Sequence, residues 1–468
     1  MKPLLRCVTT AVGAMTSVAM VNVAQADVWV FEPTAAIDQR FDDNYELSSN
    51  EKRAVSATRA VGTLGLSRES TSAAVRAFLR ADALLSISEG DDNDDLSSNQ
   101  IAFIETKAIR PRSSYGVRLS FKRDTPNRDI SADITDPSAT AADTGASVTQ
   151  DQNVDRNRFV INPVFSYNLS RRAELDLDYS FTSVDHGLPS CQEAEQRFVD
   201  NLAEGQVYNG EPFTALDELD NFQEHAFKIT GRYSLSPIDS VFSTFGYSLF
   251  EAEEEVNTPV FEEKTFDERC QNRNVLRNPR DTSSVDTVRL SLGYERAYSQ
   301  TLTLSGQFGA YQTESDRIAD PITRTRENIS STGFLVNASI SKTTGLTRYT
   351  GRIGYDVFPS DIGDVVESLE LIGDLEHKLG QLLDFSFRIR AYEPETVSTE
   401  SVEFARRFLS MEPKLIWRFS RQWTAAASYR YRRQKSQGDF DSAASNAVLF
   451  SIKYTPPSEI ADTRGRTQ

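Results

Sequence analysis

Long apolar runs are absent from this chain after its first residues. Beyond Asp27 no stretch approaches the ~20 uncharged apolar residues a membrane-crossing helix needs, and mean hydropathy is -0.44. An exported helical membrane protein is therefore excluded. Histidine is equally scarce: His186, His225 and His377 stand far apart and share no metal-ligand spacing, so neither a metal nor a cofactor is expected. Basic charge is outweighed, with 51 Lys and Arg against 68 Asp and Glu for a net -17. That balance argues against nucleic acid as a partner.

Cysteine is rare too, with three in the chain, and the first belongs to a leader. Lys2 and Arg6 precede an uncharged run from Cys7 to Ala24, and Ala24-Gln25-Ala26 offers small residues at both positions a signal peptidase reads. This predicts a leader over 1–26 and a mature chain from Asp27 that, without those two cations, carries -19. A membrane anchor is the alternative, disfavoured by a short run rich in Thr, Ser and Ala. Cys7 lies before the apolar run rather than after it, which argues against lipidation. Cys191 and Cys270 remain, both in polar stretches between strands. An oxidising compartment would allow a disulfide between them. Two free thiols that never meet are the other outcome, since sequence alone does not show proximity.

What the chain has instead is two-residue periodicity. Leu415, Trp417 and Phe419 alternate with Lys414 and Arg418; Trp423, Ala425, Ala427, Tyr429 and Tyr431 alternate with Thr424, Ser428, Arg430 and Arg432; Val448, Phe450, Ile452 and Tyr454 alternate with Ser451 and Lys453. This is strand periodicity, in segments of about ten residues with one aromatic-rich face and one polar face, the length of a tilted membrane-spanning strand. Only a closed barrel satisfies the backbone of such strands in lipid. A soluble sandwich or propeller also explains strands, but not the rhythm of the connections. Eight tight turns, among them Ser170-Arg171-Arg172 and Ser236-Pro237, alternate with nine longer links such as 124–156 and 185–221. The expected fold class is all-β: an up-and-down antiparallel transmembrane β-barrel of about eighteen strands, or about sixteen, with short periplasmic turns and longer outer loops. It should occupy 27–454, followed by a polar C-terminal tail over 455–468 that is disordered in the periplasm. Val55 to Gly65 separates least well onto two faces, and Pro163 should interrupt its strand with a bulge or a lost hydrogen bond.

The mature start Val28-Trp29-Val30-Phe31-Glu32-Pro33, with Asp42-Asp43-Asn44-Tyr45 after it, resembles that of outer-membrane β-barrel proteins of porin type often associated with exopolysaccharide or exosortase systems. The resemblance covers under twenty residues. It implies an outer-membrane barrel and carries no functional residues.

Function must come from the water-facing rows. If Tyr349 and Ile353 face lipid, Arg352 faces the lumen; by the same parity so do Arg388, Arg390, Arg418, Arg430 and Arg432, while Glu174, Asp176 and Asp178 line one strand on the opposite wall. A field across the pore would follow. The alternative is that these charges pair with neighbouring strands, for instance with Glu370, Asp374 and Glu376. The expected role is a water-filled, porin-like channel for small polar or anionic solutes, with lipid and the barrel-assembly machinery as partners. A structural or export-associated barrel of exopolysaccharide secretion, with saccharide as partner, is the alternative. Sequence does not fix the oligomeric state. Asp185-His186 is the only hint of acid-base chemistry and has no nucleophile motif beside it, so no enzymatic activity is expected.

Overall fold

The computed structural model describes residues 28–45, 47, 52, 54–88, 95–124, 156–186, 221–255, 280–320, 325–359, 365–396, 406–436, 442–457 and 459–462. The leader over 1–26, Cys191 and Cys270 lie outside these residues. The strands are β1 (Val28–Asp42), β2 (Val55–Glu69), β3 (Ala73–Ser88), β4 (Asp95–Ile109), β5 (Ser113–Asp124), β6 (Arg156–Asn168) and β7 (Ala173–His186). They continue as β8 (Asn221–Ser234), β9 (Asp239–Glu255), β10 (Arg280–Ser299), β11 (Leu302–Asp320), β12 (Thr325–Thr344) and β13 (Thr347–Pro359). The set ends with β14 (Val365–Lys378), β15 (Leu383–Thr396), β16 (Arg406–Trp417), β17 (Trp423–Ser436), β18 (Ala443–Tyr454) and the short β19 (Glu459–Asp462).

Each strand from β1 to β18 pairs antiparallel with the next, and β18 returns to β1 from Ala35↔Tyr454 to Asp42↔Ala447. The ring is therefore a closed barrel of eighteen long strands with no free long edge. Among the described residues no helix is long and apolar enough to cross a membrane. The crossing elements are the strands, whose outward positions carry large apolar side chains exposed on a wide band, such as Ile37 at 62%, Leu292 at 69% and Phe308 at 65%. Inward positions carry Asp82, Asn99, Ser120, Arg158, Thr287 and Thr313, all buried. Aromatic rings gather at the tight-turn end: Trp417 against Phe419 at 5.2 Å and Trp423 against Tyr454 at 4.8 Å, as expected where chain leaves hydrocarbon for water.

Four of the tight turns share one device. Ser70, Ser170, Ser236 and Ser420 each accept, on Oγ, a backbone N–H from the residue three positions on, at 3.0 Å in every case. The serine hydroxyl thus closes the turn from inside. Gly345, at φ 54°, takes the left-handed place in the turn between β12 and β13.

Two prolines mark gaps in the ladders. Between β6 and β7 the register passes from Ile161↔Phe181 to Val164↔Asp178. Pro163 has no N–H for Tyr179, and the Asn162 amide donates to the Tyr179 carbonyl instead, at 2.8 Å. Around Pro413 the β16–β17 ladder likewise has a gap, between Met411↔Tyr431 and Lys414↔Ser428, with the register unchanged.

The expectation of a disordered tail after Tyr454 needs correction at Glu459–Asp462. β1 extends past the end of β18, and after Pro456-Pro457, which cannot donate to a ladder, Glu459–Asp462 pairs with Val28–Phe31. Val55–Glu69, the strand least separable by pattern, alternates along its length, with Ala57 buried and Leu64 49% exposed.

The loop end of the seam between first and last strands is fastened by the Asp42-Asp43-Asn44-Tyr45 segment. Asp42, whose side chain is fully buried, accepts from Arg432 at 2.9 Å and from Ser445 at 2.6 Å, and pairs with Arg40. Arg432 also donates to the Tyr45 carbonyl at 3.1 Å, and Arg40 lies 4.7 Å over the Tyr45 ring. On the other face Asp43 takes both the backbone and the side-chain N–H groups of Asn446, at 2.6 and 2.8 Å. Asn44 donates to the Ala444 carbonyl at 3.0 Å, and Leu47 packs inward on Phe408 and Ala443.

Candidate functional site

The wall is regular except at one place. β12 and β13 pair from Thr344↔Thr347 only as far as Val336↔Tyr355, although β12 runs back to Thr325 and β13 on to Pro359. β13 and β14 stay paired to Pro359↔Val365. The upper part of this hairpin has therefore left β12, and its contacts show where it goes. Val357 and Val365, at lipid-facing parity on their strands, are buried with Phe250, Ala252, Val285 and Tyr311, which stand on the inner wall of β9, β10 and β11. The hairpin leans across the lumen.

Polar contacts fix the lean. Arg289 of β10 donates to the Val357 carbonyl at 2.5 Å and lies 3.8 Å from the Asp356 carboxylate. The hydroxyls of Tyr311 and Tyr355 donate to the two oxygens of Glu367. Tyr311 lies close against β12 because residue 333 is glycine: a Cβ there would come within 2.5 Å of the tyrosine hydroxyl.

Beneath the hairpin is a cavity of about 350 Å³, at the lower end of the ~300–1,000 Å³ typical of small-molecule sites. Asp178 and Lys228 line it on one side, Arg289 lies toward the hairpin, and Arg352, Glu370 and Arg390 line the other. Asp356 and Tyr392 also reach it. Four cations thus meet three carboxylates in one space, a mixed lining with a small positive excess.

Pairing decides which of these charges act on a solute. Arg390 is held by Glu370 at 2.8 Å and Arg289 is engaged with the hairpin. Asp178 accepts from Asn162 at 2.8 Å. Arg352 and Lys228 are exposed to the cavity and, among the described residues, have no ion-pair partner.

The arginine row expected from strand parity is thereby sorted, and most of it is neutralised by neighbours on adjacent strands. Arg388 pairs with Asp374 at 2.6 Å, Arg418 with Asp384, and Arg430 with Glu412 at 2.9 Å. Arg430 and Arg432 lie on the inward face but are only 7% and 1% exposed, so neither presents a free charge to the lumen. The acidic row on β7 has basic neighbours in register on β8: Glu174 opposite Arg232 and Asp178 opposite Lys228, with Asp176 opposite Thr230. The basic side of the expected field is thus largely cancelled by strand-to-strand pairing, whereas the acidic row has no ion pair among the described residues: Arg232 is bound to Glu295 at 3.2 Å and Asp178 accepts from the neutral Asn162. Pattern alone does not single out Lys228 and Arg289, although each sits alone between outward apolar residues, Phe227 and Ile229 or Val288 and Leu290.

Among the described residues no group of three or more His, Cys, Asp and Glu is placed to hold a metal ion. No protein-family model and no curated protein matches the chain. Solved structures similar in fold include Acinetobacter baumannii OccAB2, at 10% identity, 91% of this chain, 97% of that chain and TM-score 0.43. Another is Pseudomonas aeruginosa OccK2 (OpdF) in complex with glucuronate, at 10% identity, 92% and 98% coverage and TM-score 0.40. A third is a loop-deletion mutant of OmpT, an outer membrane protein of Vibrio cholerae, at 9% identity, 92% and 100% coverage and TM-score 0.37. At such identity and TM-score no residue role passes between those chains and this one.

Proposed function

We propose that this barrel is an outer-membrane channel that admits small anionic or polar solutes past the β13–β14 hairpin. The observation that carries the reading is the pair of unpartnered cations, Lys228 and Arg352, facing one small cavity within the lumen. A fixed charge inside a low-dielectric wall acts on a passing ion more strongly than an exposed one in bulk solvent. Arg388, Arg390, Arg418, Arg430 and Arg432 are paired and contribute little net charge to selection, while Glu174, Asp176 and Asp178 add an acidic part to the polar lining that keeps the anion preference modest. The tight turns and Val28 lie at one end of the barrel, which in this reading faces the periplasm, and the leader ends near Ala26.

Liposomes carrying the refolded protein should swell in isotonic solutions of a monosaccharide-sized sugar acid faster than in its neutral parent sugar, and slowest in the amino sugar. Oligosaccharides should enter slowly, given the cavity's size. No swelling with any of these solutes would overturn the channel reading and favour an export-associated barrel without an open lumen.

A further inference from the structure

The outer wall carries a charge pattern that passage through the lumen does not use. On β16 and β17 the outward positions run from the aromatic Trp417 and Trp423 at the tight-turn end through Leu415, Ala425 and Ala427 to Met411 and Tyr429, and then become cationic. Arg407 stands directly opposite Lys435, and Arg433 is opposite Leu409, one outward step below Lys435. All three cations are exposed. Successive outward positions are about 7 Å apart along a strand, so these side chains sit just beyond the apolar band, at the level of lipid headgroups.

Like charges directly opposite on one face of an antiparallel pair repel. Arg407 has a partner in Glu393 on β15, but the side chains of that pair are 62% and 46% exposed, and such pairs hold weakly. Arg433 and Lys435 have no ion pair among the described residues. Other outward positions near this height include the acidic Glu251, Asp286 and Glu314, the outward Arg326 there is held by Asp316 at 2.6 Å, and the chain carries -17 overall. Asp43, outward on β1, is occupied by Asn446. An anion in the headgroup layer therefore meets acidic side chains at several places and, at the loop end of β16 and β17, three clustered cations of which two have no ion pair among the described residues.

We propose that Arg407, Arg433 and Lys435 form a docking site for the phosphorylated headgroup of a bisphosphorylated glycolipid in the leaflet at the loop end. It rests on the same membrane orientation as the channel reading, but not on conduction. The two unpartnered cations lie close enough to engage one phosphate, and Arg407, shared with Glu393, supports the edge of the site. Met411 and Tyr429 below them offer an apolar and aromatic surface to the acyl chains.

Native mass spectrometry of the barrel in neutral detergent tests this, with purified bisphosphorylated lipid A as the probe and the dephosphorylated lipid and phosphatidylglycerol as competitors. The wild-type protein should retain one lipid A and exchange it poorly for either competitor. Arg433→Gln with Lys435→Gln should lose about 30-fold in apparent affinity, roughly fivefold per cation near an anionic surface. Equal retention by the variant would overturn the proposal, as would displacement by phosphatidylglycerol at equal concentration. Swelling rates of the same variant should stay at the wild-type value, so lost lipid binding with intact conduction separates this site from the channel, and lost conduction with intact lipid binding does the reverse.

Discussion

Asp42→Asn should lower the urea midpoint of the folded barrel in detergent more than any single change at a lumenal arginine. The Asp42 side chain is fully buried, and it is the carboxylate shared by Arg40 and Arg432. Its loss leaves two guanidinium groups in the seam without their acid, and stranding a buried charge costs about 3–5 kcal/mol. Arg432→Met removes the other side of the network but leaves Asp42 paired with Arg40, so its loss should be smaller. The double variant should recover part of the difference, because the two sites are coupled through one network. Urea titration followed by the gel shift between folded and heated protein reads all three. Equal midpoints for wild type and Asp42→Asn would show that β-ladder closure alone holds the seam and that the clasp is incidental.

The second large effect should come from the hairpin. Glu367→Leu removes both tyrosine contacts at once, and hydrogen bonds to a charged group contribute about 1.5–3 kcal/mol each. Even one such loss shifts a closed-to-open equilibrium by about tenfold. The apolar contacts of Val357 and Val365 remain, so Val357→Asp, which puts a charge into that cluster, should add to the effect. Both variants should show larger unit conductance than wild type in planar bilayers, with faster swelling in disaccharides. Unchanged conductance in the double variant would mean that the lean of the hairpin does not set the narrowest section.

The strands were legible because lipid and water enforce a period of two: Leu290, Leu292 and Tyr294 outward against Arg289, Ser291 and Glu295 inward. Turn placement was legible as short polar breaks between alternating runs, such as Ser170-Arg171-Arg172. Strand length was less so. β10 and β12 each run to 20 residues, and their loop-end extensions, 280–284 and 325–328, are polar on both faces, where no alternation survives. The site was the least legible. Which arginines are free depends on register, and a one-residue slip exchanges every partner. Val357 and Glu367 share lipid-facing parity, and the pattern does not mark the departure of the wall from its ring there, since charges at outward parity also occur near other strand ends, as at Asp286 and Glu314. The Asp42-Asp43-Asn44-Tyr45 segment was visible as a motif, but its work in the seam depends on residues some four hundred positions away, such as Ser445.

Reversal potential across a potassium chloride gradient tests most directly whether solutes pass the cavity beneath the hairpin. Wild-type channels should favour chloride modestly, because four cations face three carboxylates at the cavity and two of those cations, Lys228 and Arg352, are free of ion pairs among the described residues. Lys228→Ala with Arg352→Ala should move the potential through zero to a cation preference, since Asp178 and Asp356 would then dominate the lining. Arg430→Ala and Arg388→Ala should leave its sign unchanged. A potential that stays fixed on removal of Lys228 and Arg352, or that reverses with Arg430 instead, would contradict passage through this cavity.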